Sequence, residues 1–428
     1  MARKMKDSGI EWIGEIPEGW EIKRLGAILQ ERNEVNNPIQ TTSILSLTNN
    51  RGVIPYSEKG NQGNKAKDDL TGYKIAHIGD IVLNSMNVII GSVGLSNYYG
   101  AVSPVYYMLF PRNNIETNIQ YYNYLFQTTA FQQSLRGYGN GILEIRMRIQ
   151  MQKLKTVLLP VPPFLEQSNI TVYLDASLSK LNILLSKIRS SIEEYKKLKQ
   201  AVITQAVTKG VRGEREMKDS GVGWIGAIPK DWEIKRLKSF CTIVDCKNRT
   251  PDVFPDGKYT VVRTTCIKDC SFSYEGSYQT DTTNFKAWTL KGQPHKGDIF
   301  FTREAPVGEA CLVPNADNLC MGQRVMFFRP EDNSDARYIM YSIYGPLVRE
   351  YIASKNSGST VGHLKLGQVA CIPIFYCPPL EQKEIADYLD AKCAEIAGLI
   401  AKKEQLVKEL ENYKKSLIYE VVTGKREV

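Results

Sequence analysis

The sequence predicts two tandem mixed α/β (α+β) domains, each followed by one long helix. Three observations carry this expectation. Residues 5–25 (MKDSGIEWIGEIPEGWEIKRL) return at 217–237 (MKDSGVGWIGAIPKDWEIKRL), identical at 16 of 21 positions without a gap. A proline pair followed by Leu-Glu-Gln stands at Pro162 to Gln167 and again at Pro378 to Gln382. Each pair opens a proline-free stretch with apolar residues every seven positions, the mark of a long helix that packs along one stripe. A fixed-period duplication settles architecture before any local reading. The expected order is a first domain at 1–165, a central helix at 166–211, a second domain at 212–380 and a C-terminal helix at 381–428.

The opening segment carries Trp12 and Trp20, repeated as Trp224 and Trp232, around an Ile-Gly-x-Ile-Pro turn. Large rings at fixed spacing in both copies read as packing anchors in preference to base-stacking groups. The domains then diverge between about residues 26 and 160. Short β-rich runs at 80–83, 105–110, 259–262, 298–301 and 325–328 alternate with Gly, Asn and Pro clusters. Residues 121–136 and 336–354 read as helices. A third, weaker match links Gly79-Asp80-Ile81 to Gly297-Asp298-Ile299.

In the central helix the seam expected to face a partner helix is Leu174, Leu181, Ile188, Tyr195 and Val202, with Leu184 and Leu198 in the second seam row. Leu178, Leu185, Ile192 and Ala206 flank it. In the C-terminal helix the seam is Leu389, Ile396, Leu410 and Leu417, with Leu399, Leu406 and Tyr413 in the second row and Lys403 interrupting. Each helix should be roughly 60–65 Å long at about 1.5 Å per residue. The apolar stripe is wider than a two-helix seam needs, so the extra width covers either a domain surface or further helices from a partner.

At 428 residues with 43% hydrophobic content, the chain can bury more than one core. It has no apolar run of membrane-spanning length and no apolar segment after its charged start, which points to the cytoplasm. Net charge is +9, with 17 Lys+Arg against 13 Asp+Glu over residues 1–165 and 22 against 19 over 210–380. Such a modest excess permits nucleic-acid contact, and a partner would have to supply more. All nine cysteines lie at or after Cys241, an odd and clustered count that argues against a disulfide framework. Cys241, Cys246, Cys266 and Cys270 lack the spacing of common zinc pairs, so no metal site is expected. The three histidines, His77, His295 and His363, have no ligand-spaced neighbour.

Little in the sequence carries catalytic chemistry. There is no phosphate-cradling G-x-x-x-x-G-K-[ST] loop, no dinucleotide fingerprint and no adenine-methyltransferase Pro-Pro-Tyr signature. Residues 229–235 (PKDWEIK) resemble a metal-dependent nuclease pattern, but the carboxylates are compressed along one strand. The first copy also lacks the acid matching Asp231. The chain is therefore expected not to be an enzyme. What remains is recognition chemistry. Arg136, Tyr138 and Asn140 lie in a Gly-rich loop followed by Arg146 and Arg148. Lys355, Ser359 and Thr360 lie in another, followed by His363 and Lys365. Arg and Lys can read guanine, and Asn adenine, in a major groove. The alternative, solvated turns, stands beside this reading; the same placement in both copies favours recognition.

The WIGEIPEGWE-type opening, the Pro-Pro-x-x-Glu-Gln helix start and the Val-Thr-Gly ending at 422–424 together resemble the specificity subunits of Type I restriction–modification systems. The segment Gly297 to Arg303 with Gly308 resembles that family's second-domain core, which adds Arg303 to the candidate DNA-binding residues. The first copy departs there, with Asn84-Ser85-Met86 opposite Thr302-Arg303-Glu304, and 207–210 reads Val-Thr-Lys-Gly. The resemblance implies two target-recognition domains, each reading half of a split double-stranded DNA site. The two helices would form an antiparallel coiled coil that spaces them and docks methyltransferase subunits, with restriction motor subunits joining the assembly. S-adenosylmethionine, ATP and magnesium would sit on those partners and none on this chain. Two other readings remain open: a specificity subunit of a methylation-only or fused-type system, and a duplicated helical scaffold that binds protein.

Overall fold

A computed structural model describes residues 3–49, 51–60, 65–140, 148–356 and 362–428. The chain divides into two compact units, Met1–Ile188 with Gln405–Val428, and Arg189–Glu404. Each long helix is thus shared. The central helix, Phe164–Lys209, gives its first half to one unit and its second half to the other. The C-terminal helix, Pro379–Val422, does the reverse.

The two units contain the same sheet. In the first, β1 (Leu29–Arg32), β2 (Ile81–Asn84), β3 (Val93–Leu95) and β4 (Tyr106–Pro111) lie in the order β1-β4-β2-β3, all antiparallel. In the second, β5 (Cys241–Val244), β6 (Ile299–Arg303), β7 (Val307–Leu312) and β8 (Val325–Pro330) repeat it as β5-β8-β6-β7. Alternate side chains of these strands enter different cores. Phe301 and Phe328 join one buried cluster, Phe300 and Phe327 another. A sheet covered on both faces needs apolar residues in both registers, which is why the runs read as continuous rather than alternating.

The weak Gly-Asp-Ile match marks a common turn. Asp80 and Asp298 accept from the backbone amides of His77 and His295, each at 2.9 Å. Gly79 and Gly297 adopt positive φ of 86° and 97° in the same turns. Each buried carboxylate is paired with an arginine, Arg32 at 2.9 Å and Arg329 at 2.7 Å, but these come from different strands, β1 and β8. The turn is repeated; its counter-charge is supplied independently.

Two helical expectations are corrected. Residues 121–136 fold as two α-helices, Ile119–Gln127 and Thr129–Ser134, with a 3-10 turn after them. Thr128 is extended and its hydroxyl accepts from the amide of Phe131, so it caps a new helix instead of continuing the old one. Residues 336–354 split likewise into Ala336–Ile343 and Pro346–Asn356, because Pro346 has no N–H to continue the ladder. The tryptophan expectation holds for Trp20 and Trp232, both fully buried, and for Trp12, which meets Phe131 edge-on at 5.9 Å. It fails for Trp224, which is 53% exposed.

The long helices hold 46 and 44 residues, roughly 69 and 66 Å at about 1.5 Å per residue. Leu174, Ile188, Leu389, Ile396 and Leu417 are buried, and Leu181, Tyr195, Val202 and Leu410 half-buried. The second inward row is a correction. It is Leu178, Leu185, Ile192 and Ala206 that are buried, while Leu184 and Leu198 are exposed. On the other helix Cys393 is buried and Leu399, Leu406 and Tyr413 are exposed. From Leu174 the buried positions advance by four and three residues in turn, and a step of three from Leu181 lands on the outer face. In the first unit Lys414 donates to Asn182 at 2.8 Å. In the second the Lys403 ammonium lies 5.5 Å from the Tyr195 ring centre, so the interrupting lysine is held by an aromatic face. Among the described residues no helix is long and apolar enough to cross a membrane.

The repeated sequence motifs meet in one joint per unit. Strand Glu21–Arg24 pairs with Leu158–Val161, and Glu233–Arg236 with Pro373–Tyr376, tying each opening to the segment before its helix. Trp20 donates through Nε1 to Glu166 at 2.9 Å, and Arg3 pairs with the same carboxylate. In the second unit Arg215 pairs with the fully buried Glu381 and lies over the Trp232 ring. The adjacent glutamines act as clamps. Gln167 donates to Pro162 O and Glu116 O and accepts from Asn118 N. Gln382 donates to Cys377 O and accepts from Asp335 N.

The end of the other helix closes each joint. Gly424, at φ 72°, lies so close to Pro17 and Trp20 that an added Cβ would stand 2.5 Å from Pro17 Cδ. Gly210, at φ 76°, lies against Trp232 and Glu381, where a Cβ would meet Glu381 Oε1 at 2.9 Å. Both ends need a left-handed residue with no side chain. Gly424→Ala and Gly210→Ala should each cost about 1–3 kcal/mol from backbone strain alone, read as a lowered denaturant midpoint or Tm. An unchanged midpoint in Gly424→Ala would show that the chain end is not docked on the first unit in solution.

Candidate nucleic-acid interface

The candidate loops follow helices and are fastened to the sheet ends. In the first unit the 3-10 turn Leu135–Tyr138 exposes Arg136 and half-buries Tyr138 against the core. The chain then forms a short hairpin in which Asn140 pairs with Arg148 and Gly139 with Ile149. Arg148 is exposed, and Arg146 lies outside the described residues. The hairpin is fastened to the end of β2 by Ile149 N donating to Ser85 O at 3.0 Å. Ser85 Oγ in turn donates to Val105 O.

The second unit repeats this fastening with different side chains. Leu364 N donates to Arg303 O at 3.0 Å, and Glu304 bridges to His363. Arg303 therefore occupies the place of Ser85, and the structure brings Arg303 and His363 to one sheet end although 60 positions separate them. His363 Nδ1 is 3.4 Å from Glu304 Oε2, and Arg324 Nε is 3.3 Å from the same oxygen. Arg324 holds a left-handed φ of 76°, costly for a residue with a Cβ and characteristic of over-determined sites. Lys355 is exposed at the end of Pro346–Asn356, its ammonium 5.4 Å from the Tyr351 ring centre. Lys365 is exposed just ahead of Leu366–Ala370. Ser359 and Thr360 lie outside the described residues.

Arg303 differs from the other candidates because it points into the domain. Its residue surface is 8% exposed. Nη2 donates to Asn248 Oδ1 at 2.7 Å and Nη1 to Asp245 Oδ2 at 3.4 Å. Sequence reasoning missed the loop this arginine holds. Lys247 and Arg249 lie over Trp288, 4.7 and 5.2 Å from its ring centre, and Trp288 Nε1 donates to Arg249 O. Two cations against one aromatic ring, beside an exposed asparagine, form a surface able to take phosphate and base edges. The signal available in sequence was Lys-Asn-Arg after the first sheet strand of the second copy. At the offset of 212 the first copy has Val35-Asn36-Asn37, without the cations.

Comparison with known proteins places these features. The family profile described as "Type I restriction modification DNA specificity domain" matches residues 17–194 and 229–409. The chain is 26% identical over 430 residues to a protein named as the MjaX type I restriction enzyme specificity subunit of Methanocaldococcus jannaschii, covering 96% of this chain and 95% of that one. It is 24% identical over 433 residues to the MjaVIII type I restriction enzyme specificity subunit of the same organism, covering 96% and 93%. Among solved structures, a chain from a study of complex assembly and conformational transition of the type I restriction–modification system aligns with TM-score 0.71 at 15% identity, covering 96% of this chain and 99% of that one. The HsdS subunit from Thermoanaerobacter tengcongensis aligns with TM-score 0.51 at 16% identity over 96% and 98%. These structural likenesses speak for the fold.

The cysteines are free thiols spread through the second unit's cores. Among the described residues no three His, Cys, Asp or Glu side chains converge as metal ligands. Burial pushes the Cys270, Cys320 and Cys377 thiols up to about 12, and raises Cys241 and Cys311 further. A thiol whose folded value lies above its unfolded value of about 8.5 contributes stability that is fully present below about 8.5 and is lost as pH rises to the folded value. Stability of the second unit should therefore fall between about pH 8.5 and 12, and these thiols should resist alkylation at pH 8 until denaturant is added. Rapid labelling of Cys320 or Cys377 in the native protein would contradict the packing.

Proposed function

Because the chain belongs to the Type I restriction–modification DNA specificity family and carries its domain twice, we propose that it reads a split DNA target, one half with each recognition domain, and performs no chemistry itself. The observation that carries this reading is one four-stranded scaffold, present in both units, beneath loops whose side chains differ: Ser85 with Arg148 in one, Arg303 with His363 in the other. A common frame with divergent loops suits two sites that do the same task on different sequences.

In this reading the long helices form an antiparallel coiled coil that joins the recognition domains. The rows exposed at Leu184, Leu198, Leu399, Leu406 and Tyr413 are the surface on which helices of methyltransferase subunits dock. Restriction motor subunits join through them. S-adenosylmethionine, ATP and magnesium belong to those partners, and the protein acts on double-stranded DNA in the cytoplasm. The small positive excess of each domain supports this division, since each phosphate contact contributes to a steep salt dependence that the chain alone is poorly equipped to generate.

Two experiments test this. Binding to a random duplex library should be weak and unselective for the isolated chain, and tighter by about 100-fold or more, with a bipartite motif selected, once methyltransferase is added. Tight, selective binding by the chain alone would contradict the division of labour, and no binding in either arm would favour a protein scaffold. Inserting four residues into the central helix adds one turn, about 6 Å. Mapped methylation sites should then keep both half-sites and gain one or two base pairs of spacer at about 3.4 Å each. An active insertion mutant with an unchanged spacer would show that the helices tether the domains without setting their distance.

A further inference from the structure

We infer that Asn248 is a specificity-determining residue of the second recognition domain, and that the buried Arg303 is the positioning residue that aims it. This rests on the proposed DNA-reading function and names where part of the reading occurs.

Arginine offers donors and no acceptor. The 2.7 Å bond from Arg303 Nη2 therefore fixes the carbonyl side of the Asn248 amide toward the domain. Gln323 Nε2 donates to Asn248 O at 3.3 Å, so main chain and side chain are both held. What is left facing outward is the Nδ2 amide group of an exposed residue, which has no partner among the described residues. Arg303 is itself more than nine-tenths buried, and its Nε finds no hydrogen-bond partner among the described residues. A guanidinium left partly unsatisfied in a buried site is costly, which suits a group retained for aim more than for stability.

The neighbours fit the same reading. Lys247 and Arg249 flank Asn248 in the chain and lie against the Trp288 ring, where cations held by a ring can meet the DNA backbone on either side of an inserted amide. An amide donor at a major-groove edge recognises an acceptor: guanine N7 or O6, adenine N7 or thymine O4. The first unit supplies the contrast. Asn36, at the equivalent offset, is fully buried; its Oδ1 accepts from Gln40 N and Thr41 N, and its Nδ2 donates to Thr41 O. Ser85 stands where Arg303 would be needed. The same residue type is structural in one unit and turned outward in the other, and the arginine beneath it is what differs.

The test uses the full chain with its methyltransferase subunits and maps methylated sites for Asn248→Ala, Asn248→Asp and Arg303→Met. Asn248→Asp keeps an acceptor for Arg303 and replaces the outward donor by a charged acceptor, while Asn248→Ala removes the donor without adding charge. All three should lose preference about ten-fold or more at the same single base position of one half-site, with the other half-site unchanged and the melting temperature of Asn248→Asp near the parent's. An intact motif in Asn248→Ala or Asn248→Asp overturns the inference. So does loss across the whole half-site together with a lowered melting temperature in Asn248→Asp, which would make the residue a loop support. Absence of any bipartite motif with the unaltered chain would instead defeat the proposed function, and is read before the variants.

Discussion

Everything in this protein hangs on a buried polar joint at the start of each long helix. A carboxylate and an amide, Glu166-Gln167 and Glu381-Gln382, are taken fully or largely out of water within one turn of the helix start. Burying them is tolerable because the main charges and the amide are partnered: an arginine for each carboxylate and main-chain groups of the domain for the amide. A hydrophobic contact would let a helix slide or rotate; a clamped glutamine does not. The joint fixes direction as well as attachment, and a helix of more than forty residues magnifies any error in direction.

The same joint explains why duplication was retained unevenly. The opening tryptophan, the strand after it, the Leu-Glu-Gln start and the glycine that ends the opposite helix all touch one another within a unit. Changing any one leaves the others strained or unpaired, so the two copies stay alike there. The sheet tolerates more. Its order is kept by main-chain pairing, which is indifferent to side chain, and its turn by a carboxylate whose arginine comes from whichever strand offers one. Beyond the sheet ends few core residues come from the loops, Tyr138 and Ile149 among them, and there the two copies share almost no residues. Tolerance increases with distance from the joint, and the surface left free to vary is the surface a DNA-reading protein must vary.

The legibility of the site follows from this gradient. Tandem order and helix positions could be read directly, because a repeated motif and a period of seven are properties of the chain itself. The split of each predicted helix at Thr128 and at Pro346 was legible in principle, since both residues carry their own local reason. Trp224 was not. Its copy Trp12 is covered by Phe131, an aromatic from a region where the halves have diverged, and no pattern within the repeated motif announces that absence. The loop candidates were identified by composition, which marks where a chain leaves its scaffold but not which side chains turn outward.

What the sequence determined by itself was therefore the plan: two copies, each a mixed domain with a long helix, belonging to one recognisable family. Periodicity and repetition are one-dimensional and survive being read in one dimension. What only the tertiary structure decided was the facing of individual groups. Leu184 and Leu185 are adjacent in the chain, yet one is exposed and the other buried, because packing chooses between two rows that sequence spacing leaves nearly equal. Arg303 looks in sequence like a surface cation and is an interior support. Asn36 and Asn248 share a register and face opposite ways, since the direction of an amide is set by a partner donor 55 residues away in the chain, which no local pattern encodes.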